Sequence, residues 1–389
     1  MKDGRLQTLS LFILIIVFVI GTSFVSNRLW GTKSEQIETV TSLVIKDEMT
    51  LKEFGSLNRI PEPLLNQIFK PGADAGLDSK VSAFGNDAEV SAMVKKKMAL
   101  ISEKESKNWI KIPVKFASWF AFLLFVFIFL KRRKLSQPLR KGLHIAAIIV
   151  FGVILGSDPA PMGTVKDAIV LYGKAGTIFP PRMIALTVFL VMVIIANKYI
   201  CGWGCQAGVL QDFIFRLNRS DKLRPVIWRQ FKLPFVFTNS VRVVFFIMII
   251  ACAIVWGYDI VDPIDFFKVY NPVHLGMAGG ISAAIVLGAG LFVYRPWCHL
   301  LCPFGLVGWV VEKLSIVKIN VDYSTCIACK KCAAACPSTV MSAILLRDRK
   351  VIPDCFSCYT CRDVCPTGSI RFSADKRILP AENHFKNKQ

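Results

Sequence analysis

Residues 326–337 read CIACKKCAAACP, and residues 355–366 read CFSCYTCRDVCP. Both follow the run C-x2-C-x2-C-x3-C-P, which is typical of proteins that hold four-iron clusters. Three closely spaced thiolates surround one face of a cubane, and the fourth thiolate reaches the neighbouring cubane. The spacing therefore predicts one [4Fe–4S] set at Cys326, Cys329, Cys332 and Cys365, and a second at Cys355, Cys358, Cys361 and Cys336.

The doubled run predicts a C-terminal α+β domain of the bacterial 2[4Fe–4S] ferredoxin type over residues 315–389. A pair of zinc knuckles is the alternative, but zinc sites take four ligands each and do not share them between two runs. Disulfides are disfavoured because twelve of the thirteen cysteines fall in four short motifs, and the polar stretch 29–110 contains none.

The rest of the chain is apolar enough for a membrane protein, since 53% of the 389 residues are hydrophobic. The fold class predicted is a polytopic α-helical membrane protein with about six transmembrane helices. The domains predicted are a tail with a first span (1–28), a small helical domain (29–110), five further spans (111–314) and the ferredoxin domain. The six apolar runs lie near residues 9–27, 112–130, 142–156, 183–200, 241–257 and 279–294.

The distribution of Lys and Arg predicts the orientation. The short loop 131–141 carries six basic residues and the segment 201–242 carries seven, whereas 157–182 carries three and 258–277 carries one. Basic residues accumulate on the cytoplasmic side, so both termini and the ferredoxin domain are predicted to be cytoplasmic. The same loops account for the net charge of +21, and no nucleic-acid partner is expected.

Residues 29–110 are then predicted to lie outside the membrane as a small helical domain. Thr50–Phe54 and Pro61–Phe69 indicate two short helices, and Asp87–Lys107 indicates a longer one. The stretch contains neither a haem-attachment motif nor a recognisable flavin-attachment motif. Haem is not expected within the bundle either, because membrane haem needs paired histidines. Of the four histidines, only His144 lies within a predicted span.

An internal repeat carries two further cysteine pairs. The stretch Cys201-Gly-Trp-Gly-Cys205 matches Cys298-His-Leu-Leu-Cys302, each residue of the second copy lying 97 positions after its counterpart. Functional sites of membrane proteins with internal repeats tend to lie at the repeat interface. These four cysteines are therefore candidate ligands of a further metal centre or cluster. Packing cysteines and a redox-active dithiol are the alternatives.

Together, the two C-x3-C pairs and the doubled ferredoxin motif resemble the NapH/NosR family of membrane-bound polyferredoxins. The resemblance covers roughly residues 140–370. The N-terminal anchor and the segment 29–110 are more similar to the NosR branch, without its flavin motif. Members are thought to take electrons from quinol and feed periplasmic reductases, or to serve maturation of such enzymes.

The function expected is membrane-bound iron–sulfur electron transfer between the quinol pool and a redox partner protein, which is periplasmic or cytoplasmic. A role as a quinol dehydrogenase component would make the chain part of an enzyme. A redox-sensing or assembly factor for a periplasmic enzyme is the alternative. The location expected is the inner membrane of a prokaryote, with lipid as a further partner.

Overall fold

The computed structural model describes most of the chain, and the statements below concern those residues. They are 2–30, 43–46, 48–70, 76–105, 107, 109, 111–132, 135–156, 159–219, 225–227, 229–346, 354–381 and 384–385.

Four helical segments are long and apolar enough to cross a membrane: Arg5–Arg28, Lys111–Lys131, Gln137–Ile154 and Phe235–Trp256. They belong to α1 (Lys2–Trp30), α5 (Lys111–Arg132), α6 (Gln137–Ala147) and α11 (Phe235–Trp256), and a π-helix, Ile148–Ile154, continues α6. At 1.5 Å per residue, the 22 residues of α11 span about 33 Å, which matches the hydrocarbon core of about 30 Å.

The fourth and sixth predicted spans are helices of smaller length. α8 (Pro180–Ala196) has 17 residues and α12 (Met277–Gly290) has 14, so they measure about 26 Å and 21 Å. Each is followed by a five-residue helix and a longer one. These are α9 (Tyr199–Trp203) and α10 (Gln206–Leu217) in the first copy of the repeat, and α13 (Pro296–Leu300) and α14 (Pro303–Glu312) in the second. The count of six spans stays a prediction.

Two of the predicted connections between spans, 157–182 and 258–277, contain packed helical elements. Residues 161–175 form α7 (Pro161–Ala175), which lies against α8 and α11. Short 3-10 helices fill residues 262–274, and there Tyr270 is buried and donates its hydroxyl to the Gln206 carbonyl at 3.1 Å. The apolar pattern did not predict α7, because Lys166 and Asp167 interrupt it. Lys166 is nevertheless buried, and it forms ion pairs with Asp259 and Asp265.

The N-terminal helical domain contains α2 (Leu51–Leu57), α3 (Glu62–Phe69) and α4 (Asp87–Glu105), in the three places that the sequence indicated. A capping box between Thr50 and Glu53 begins α2. Phe54, Ile68 and Val94 are fully buried in a separate hydrophobic core. The far end of α4 contacts the bundle, where Arg182 donates to Glu103 at 2.9 Å.

The C-terminal domain is a small α+β unit. β1 (Lys318–Val321) pairs antiparallel with β2 (Ile370–Ser373), with Lys318 opposite Ser373. Between the strands lie the short helices α15 (Lys331–Ala335), α16 (Val340–Leu345) and α17 (Thr360–Asp363). The hydrophobic core of this domain combines apolar residues of both strands and α16 with Cys336, Cys361 and Cys365.

Candidate iron–sulfur centres

The first predicted cysteine set lines one cavity at the surface of the C-terminal domain. The cavity has an empty volume of about 340 Å³, and its lining includes Cys326, Cys329, Cys332 and Cys365. Cys329 is exposed, whereas Cys365, which comes from the second run, is buried. The chain thus brings the fourth thiol across from the other motif, as crossed ligation requires.

The second set lines a separate cavity of about 400 Å³, whose lining includes Cys336, Cys355, Cys358 and Cys361. The aromatic residues Tyr294, Phe356 and Tyr359 complete its wall. Among the described residues, no group of three or more His, Cys, Asp or Glu side chains is arranged to hold a single metal ion. Four thiols from two crossed runs line each cavity, and this donor set suits a four-iron cluster, which Cys thiolates hold.

The loops around both sets share an unusual backbone conformation. Ala328 and Lys330 flank Cys329 with φ of 57° and 54°, and Ser357 and Tyr359 flank Cys358 with φ of 49° and 61°. Left-handed conformations at residues other than glycine cost about 1 to 3 kcal/mol each and tend to occur at functional sites. Their recurrence at matching positions indicates that the loops are shaped around an occupant.

Hydroxyl groups lie beside three of the cysteine sulfurs. The Sγ atoms of Cys336, Cys358 and Cys365 lie 3.4 to 3.6 Å from the hydroxyls of Ser338, Thr360 and Thr367. In each case the hydroxyl residue follows the cysteine by two positions. Hydrogen bonds to sulfur are one of the means by which a protein tunes an iron–sulfur cluster.

Some of these thiols resist ionisation, and each cavity contains an example. Burial raises the pKa of Cys332 to about 11, and the neighbouring thiols Cys365, Cys326 and Cys329 act in the same direction. Burial likewise raises the pKa of Cys361 well above its usual range, again reinforced by neighbouring thiols. Burial would also raise the pKa of Cys365, but hydrogen bonds from Thr367 and neighbouring backbone amides lower it overall. Bound positive charge, such as that of iron, would favour the thiolate form of the thiols whose pKa is raised.

The four remaining motif cysteines meet inside the helix bundle, and we call them the bundle set: Cys201, Cys205, Cys298 and Cys302. All four are buried, and they lie close enough together for their thiolate charges to interact. The first cysteine of each pair lies in a five-residue helix, and the second precedes α10 or α14 as the N-cap. Each pair therefore presents one sulfur at a helix N-terminus, where partial positive charge favours a thiolate.

In each of the two turns of the bundle set, a glycine and an arginine lie close to the carbonyl of the first cysteine. Arg295 donates to the Cys201 carbonyl at 2.5 Å, and Arg242 donates to the Cys298 carbonyl at 3.5 Å. A Cβ added at Gly208 would lie 2.6 Å from the Cys201 oxygen, and one at Gly305 would lie 2.8 Å from the Cys298 oxygen. The absence of a side chain at these glycines lets the helix start close to the preceding carbonyl.

The C-terminal domain docks onto the bundle beside this set. Trp203 donates to the Ser357 carbonyl at 3.1 Å, and Arg216 donates to the Thr360 hydroxyl at 3.0 Å. Arg140 pairs with Asp363 through a side chain that is fully buried. The loop that carries Cys355 and Cys358 therefore faces the bundle, while the cavity of Cys329 faces outward.

Several buried polar residues of the site were missed from the sequence. Arg140, Gln211 and Arg242 lie far along the chain from the cysteines that they approach, so no local spacing indicates them. Lys198 and Arg295 had a detectable signal, because each precedes the first cysteine of its pair by three residues and they are 97 positions apart.

Two family models match the chain. The model described as a 4Fe-4S dicluster domain covers residues 318–376, which contain both ferredoxin runs. The model described as a 4Fe-4S binding domain covers residues 178–234 and 275–321, which contain both C-x3-C pairs. No solved structure matches the chain significantly.

Several proteins are similar to the chain. YccM of Escherichia coli (strain K12), named as a candidate electron transport protein, is 33% identical over 54% of this chain and 60% of its own length. The ferredoxin-type protein NapH of Haemophilus influenzae is 26% identical over 49% of this chain and 67% of its own length. The methylamine utilization ferredoxin-type protein MauN of Methylorubrum extorquens is 26% identical over 50% of this chain and 64% of its own length.

The chain thus spans about three fifths of the length of YccM, and the matches concern the bundle and the C-terminal domain. They combine 4Fe-4S domains, ferredoxin-type relatives and a helical fold with several apolar helices. The chain therefore has homologues among the NapH-like ferredoxin-type proteins and contains 4Fe-4S domains.

Proposed function

We propose that the chain is a membrane-bound iron–sulfur electron-transfer protein that passes electrons between the quinol pool and a redox partner protein. The observation that carries the proposal is the succession of three four-cysteine sets. The first set lines a cavity at the outer surface of the C-terminal domain, the second faces the bundle, and the third lies inside it.

Different residues serve the two ends of this succession of cysteine sets. Iron–sulfur clusters, when bound, supply one-electron carriers. Cys329 is exposed beside Lys330 and Lys331, which suits contact with an acidic soluble partner. The second set is held against the bundle by mostly buried contacts of Trp203, Arg216 and Arg140. A fixed distance between the sets favours transfer at a constant rate.

The proposal includes the domains and topology expected from the sequence. The tail and first span cover 1–28, the N-terminal helical domain 29–110, the bundle 111–314 and the ferredoxin domain 315–389. The basic loops place the ferredoxin domain and both termini in the cytoplasm of a prokaryotic cell. The N-terminal helical domain, which has its own core, then lies on the opposite side of the inner membrane. A NosR-like branch without flavin stays a prediction.

Anaerobic purification with quantification of iron and sulfide tests the cofactor content. Two four-iron clusters give about eight irons per chain, and a four-iron cluster at the bundle set raises this to about twelve. Cys298→Ser should remove the third portion and leave the other two. Cys252→Ser is the matched control, because Cys252 lies in α11 outside all three sets. A colourless, iron-free protein would contradict the proposal.

Reduction by menaquinol or ubiquinol analogues tests the quinol partner. The wild-type protein should be reduced, and Cys358→Ser should block electron passage to a soluble acceptor. If the loaded protein exchanges no electrons with quinols, and cells carrying Cys326→Ser or Cys358→Ser are normal, the alternative of an assembly or sensing role is favoured.

A further inference from the structure

Phe356 of the ferredoxin domain is buried against the helix bundle. It follows Cys355 in the second ferredoxin run, and only 4% of it is exposed. The residue at the same place in the first run is Ile327, which follows Cys326 and is 46% exposed. The apolar residue after the first cysteine thus faces solvent in one run and packs into the bundle in the other.

Both copies of the internal repeat contact Phe356 from the same position. Gly202 follows Cys201, and His299 follows Cys298. The His299 ring meets the Phe356 ring edge to face, with 4.9 Å between the ring centroids. A Cβ added at Gly202 would lie 2.3 Å from the Phe356 carbonyl oxygen, so the missing side chain allows the two backbones to approach.

Buried neighbours fix the loop and the ring of Phe356 in place. Trp203 donates to the carbonyl of Ser357 at 3.1 Å. The Lys198 ammonium lies 4.2 Å and the Arg295 guanidinium 5.2 Å from the centroid of the Phe356 ring, which is within the range of cation–π attraction. Since these side chains are almost fully buried, the ring has little room to move.

Phe356 therefore lies between the two cysteine sets. Its ring lines the cavity of the second ferredoxin set, and its backbone is bonded to that of Cys355. The two residues that it contacts in the bundle, Gly202 and His299, are each bonded to a cysteine of the bundle set. One van der Waals contact thus joins the chain beside one set to the chain beside the other. Electrons tunnel more readily through packed atoms than across a gap.

Resting on the proposed function and on a cluster at the bundle set, we propose that Phe356 is the positioning residue of an electron-transfer junction between the second ferredoxin set and the bundle set. One electron crosses at a time. The cluster that gives the electron is oxidised and the cluster that takes it is reduced, and no bond forms or breaks. The Phe356 ring fills the space between the sets, and the contact with Gly202 sets their separation.

Rapid-freeze-quench EPR of the full-length, anaerobically purified protein tests the junction. A photoexcited soluble reductant delivers the electron, and the signals are assigned by their loss in Cys298→Ser and in Cys358→Ser. In the wild-type protein the two signals should reach their equilibrium ratio quickly. Phe356→Ala should slow this exchange severalfold, beyond what any change in the midpoint potentials explains, while the chain keeps about twelve irons. Gly202→Ala should slow the exchange as well, because the added Cβ displaces the Phe356 carbonyl.

Ile327→Ala is the matched control for Phe356→Ala, because it makes the same kind of change at the same place in the first run, where the side chain is exposed. It should leave the exchange rate unchanged. Phe356→Leu keeps an apolar side chain in the space between the sets and should restore much of the rate.

A purely structural role of Phe356 would lower the iron content and leave the exchange rate of the loaded protein unchanged, which would overturn the inference. An unchanged rate at full iron content in both Phe356→Ala and Gly202→Ala would also overturn it, and the proposed function would stand. About eight irons, unchanged in Cys298→Ser, would remove the cluster at the bundle set and the inference with it. A protein free of iron would overturn the proposed function itself.

Discussion

Alanine at Gly208 should abolish the bundle centre, by which we mean the cluster proposed at the bundle set, although helix propensity alone predicts a gain in stability. In an ordinary helix, replacing glycine by alanine stabilises by up to about 1 kcal/mol. At Gly208 the new Cβ would lie 2.6 Å from the Cys201 carbonyl oxygen and 3.1 Å from the Arg295 guanidinium. The oxygen belongs to the backbone, so it cannot rotate away as the end of a side chain could.

The contact of 2.6 Å is about 0.8 Å shorter than the 3.4 Å at which ordinary van der Waals contact begins. Overpacking of this kind costs about 1 to 3 kcal/mol, which exceeds the propensity gain. The steric strain can be relieved by a shift of the turn between Cys201 and Cys205. This shift would move sulfurs of the bundle set. We therefore expect the strain to appear as loss of the bundle centre, or about four of about twelve irons per chain.

The assay is iron quantification with EPR on anaerobically purified Gly208→Ala. Gly305→Ala tests the same turn in the other copy, where the added Cβ would lie 2.8 Å from the Cys298 oxygen. Gly288→Ala in α12 is the control, because an added Cβ there meets nothing within 4 Å. Full iron content and an unchanged spectrum in Gly208→Ala would refute the reasoning.

Three other predictions concern the remaining parts of the molecule. Cys365→Ser should remove the same EPR signal as Cys326→Ser, because both thiols line one cavity; matching losses in Cys365→Ser and Cys355→Ser would argue against crossed ligation. Lys166→Met should lower the free energy of unfolding by about 3 to 5 kcal/mol, measured by thermal unfolding, because it leaves Asp259 and Asp265 without their buried partner. Lys96→Met is the control because the Lys96 side chain on α4 is exposed, and an equal effect there would contradict the explanation. Phe54→Ala should cost the N-terminal helical domain about 3 to 5 kcal/mol and make it protease-sensitive while the visible absorbance stays unchanged, since its core is separate; a parallel loss of absorbance would show that the two cores are coupled.

The spacing of residues that are close together along the chain predicted much of the fold. The short and long helices of the N-terminal helical domain lie where the sequence indicated them, because caps and apolar periodicity are properties of neighbouring residues. The long apolar runs likewise predicted α1, α5 and α11. The helix α7 within the connection 157–182 was not predicted, because it buries Lys166 through partners that come from the segment 258–277. Such pairing depends on tertiary contacts and leaves no local pattern.

The same division applies to the site. The amino-acid sequence by itself predicted the two ferredoxin sets and determined that the C-x3-C pairs are copies of one repeat, because cluster loops and repeats are visible in the order of residues along the chain. Only the tertiary structure decided that the two pairs meet within the bundle and that Lys198, Arg242 and Arg295 lie beside them. It also decided that Phe356 of the ferredoxin domain contacts the residue after the first cysteine of each pair. Electrostatic effects depend on distance in space, and residues far apart along the chain reach these distances only through packing.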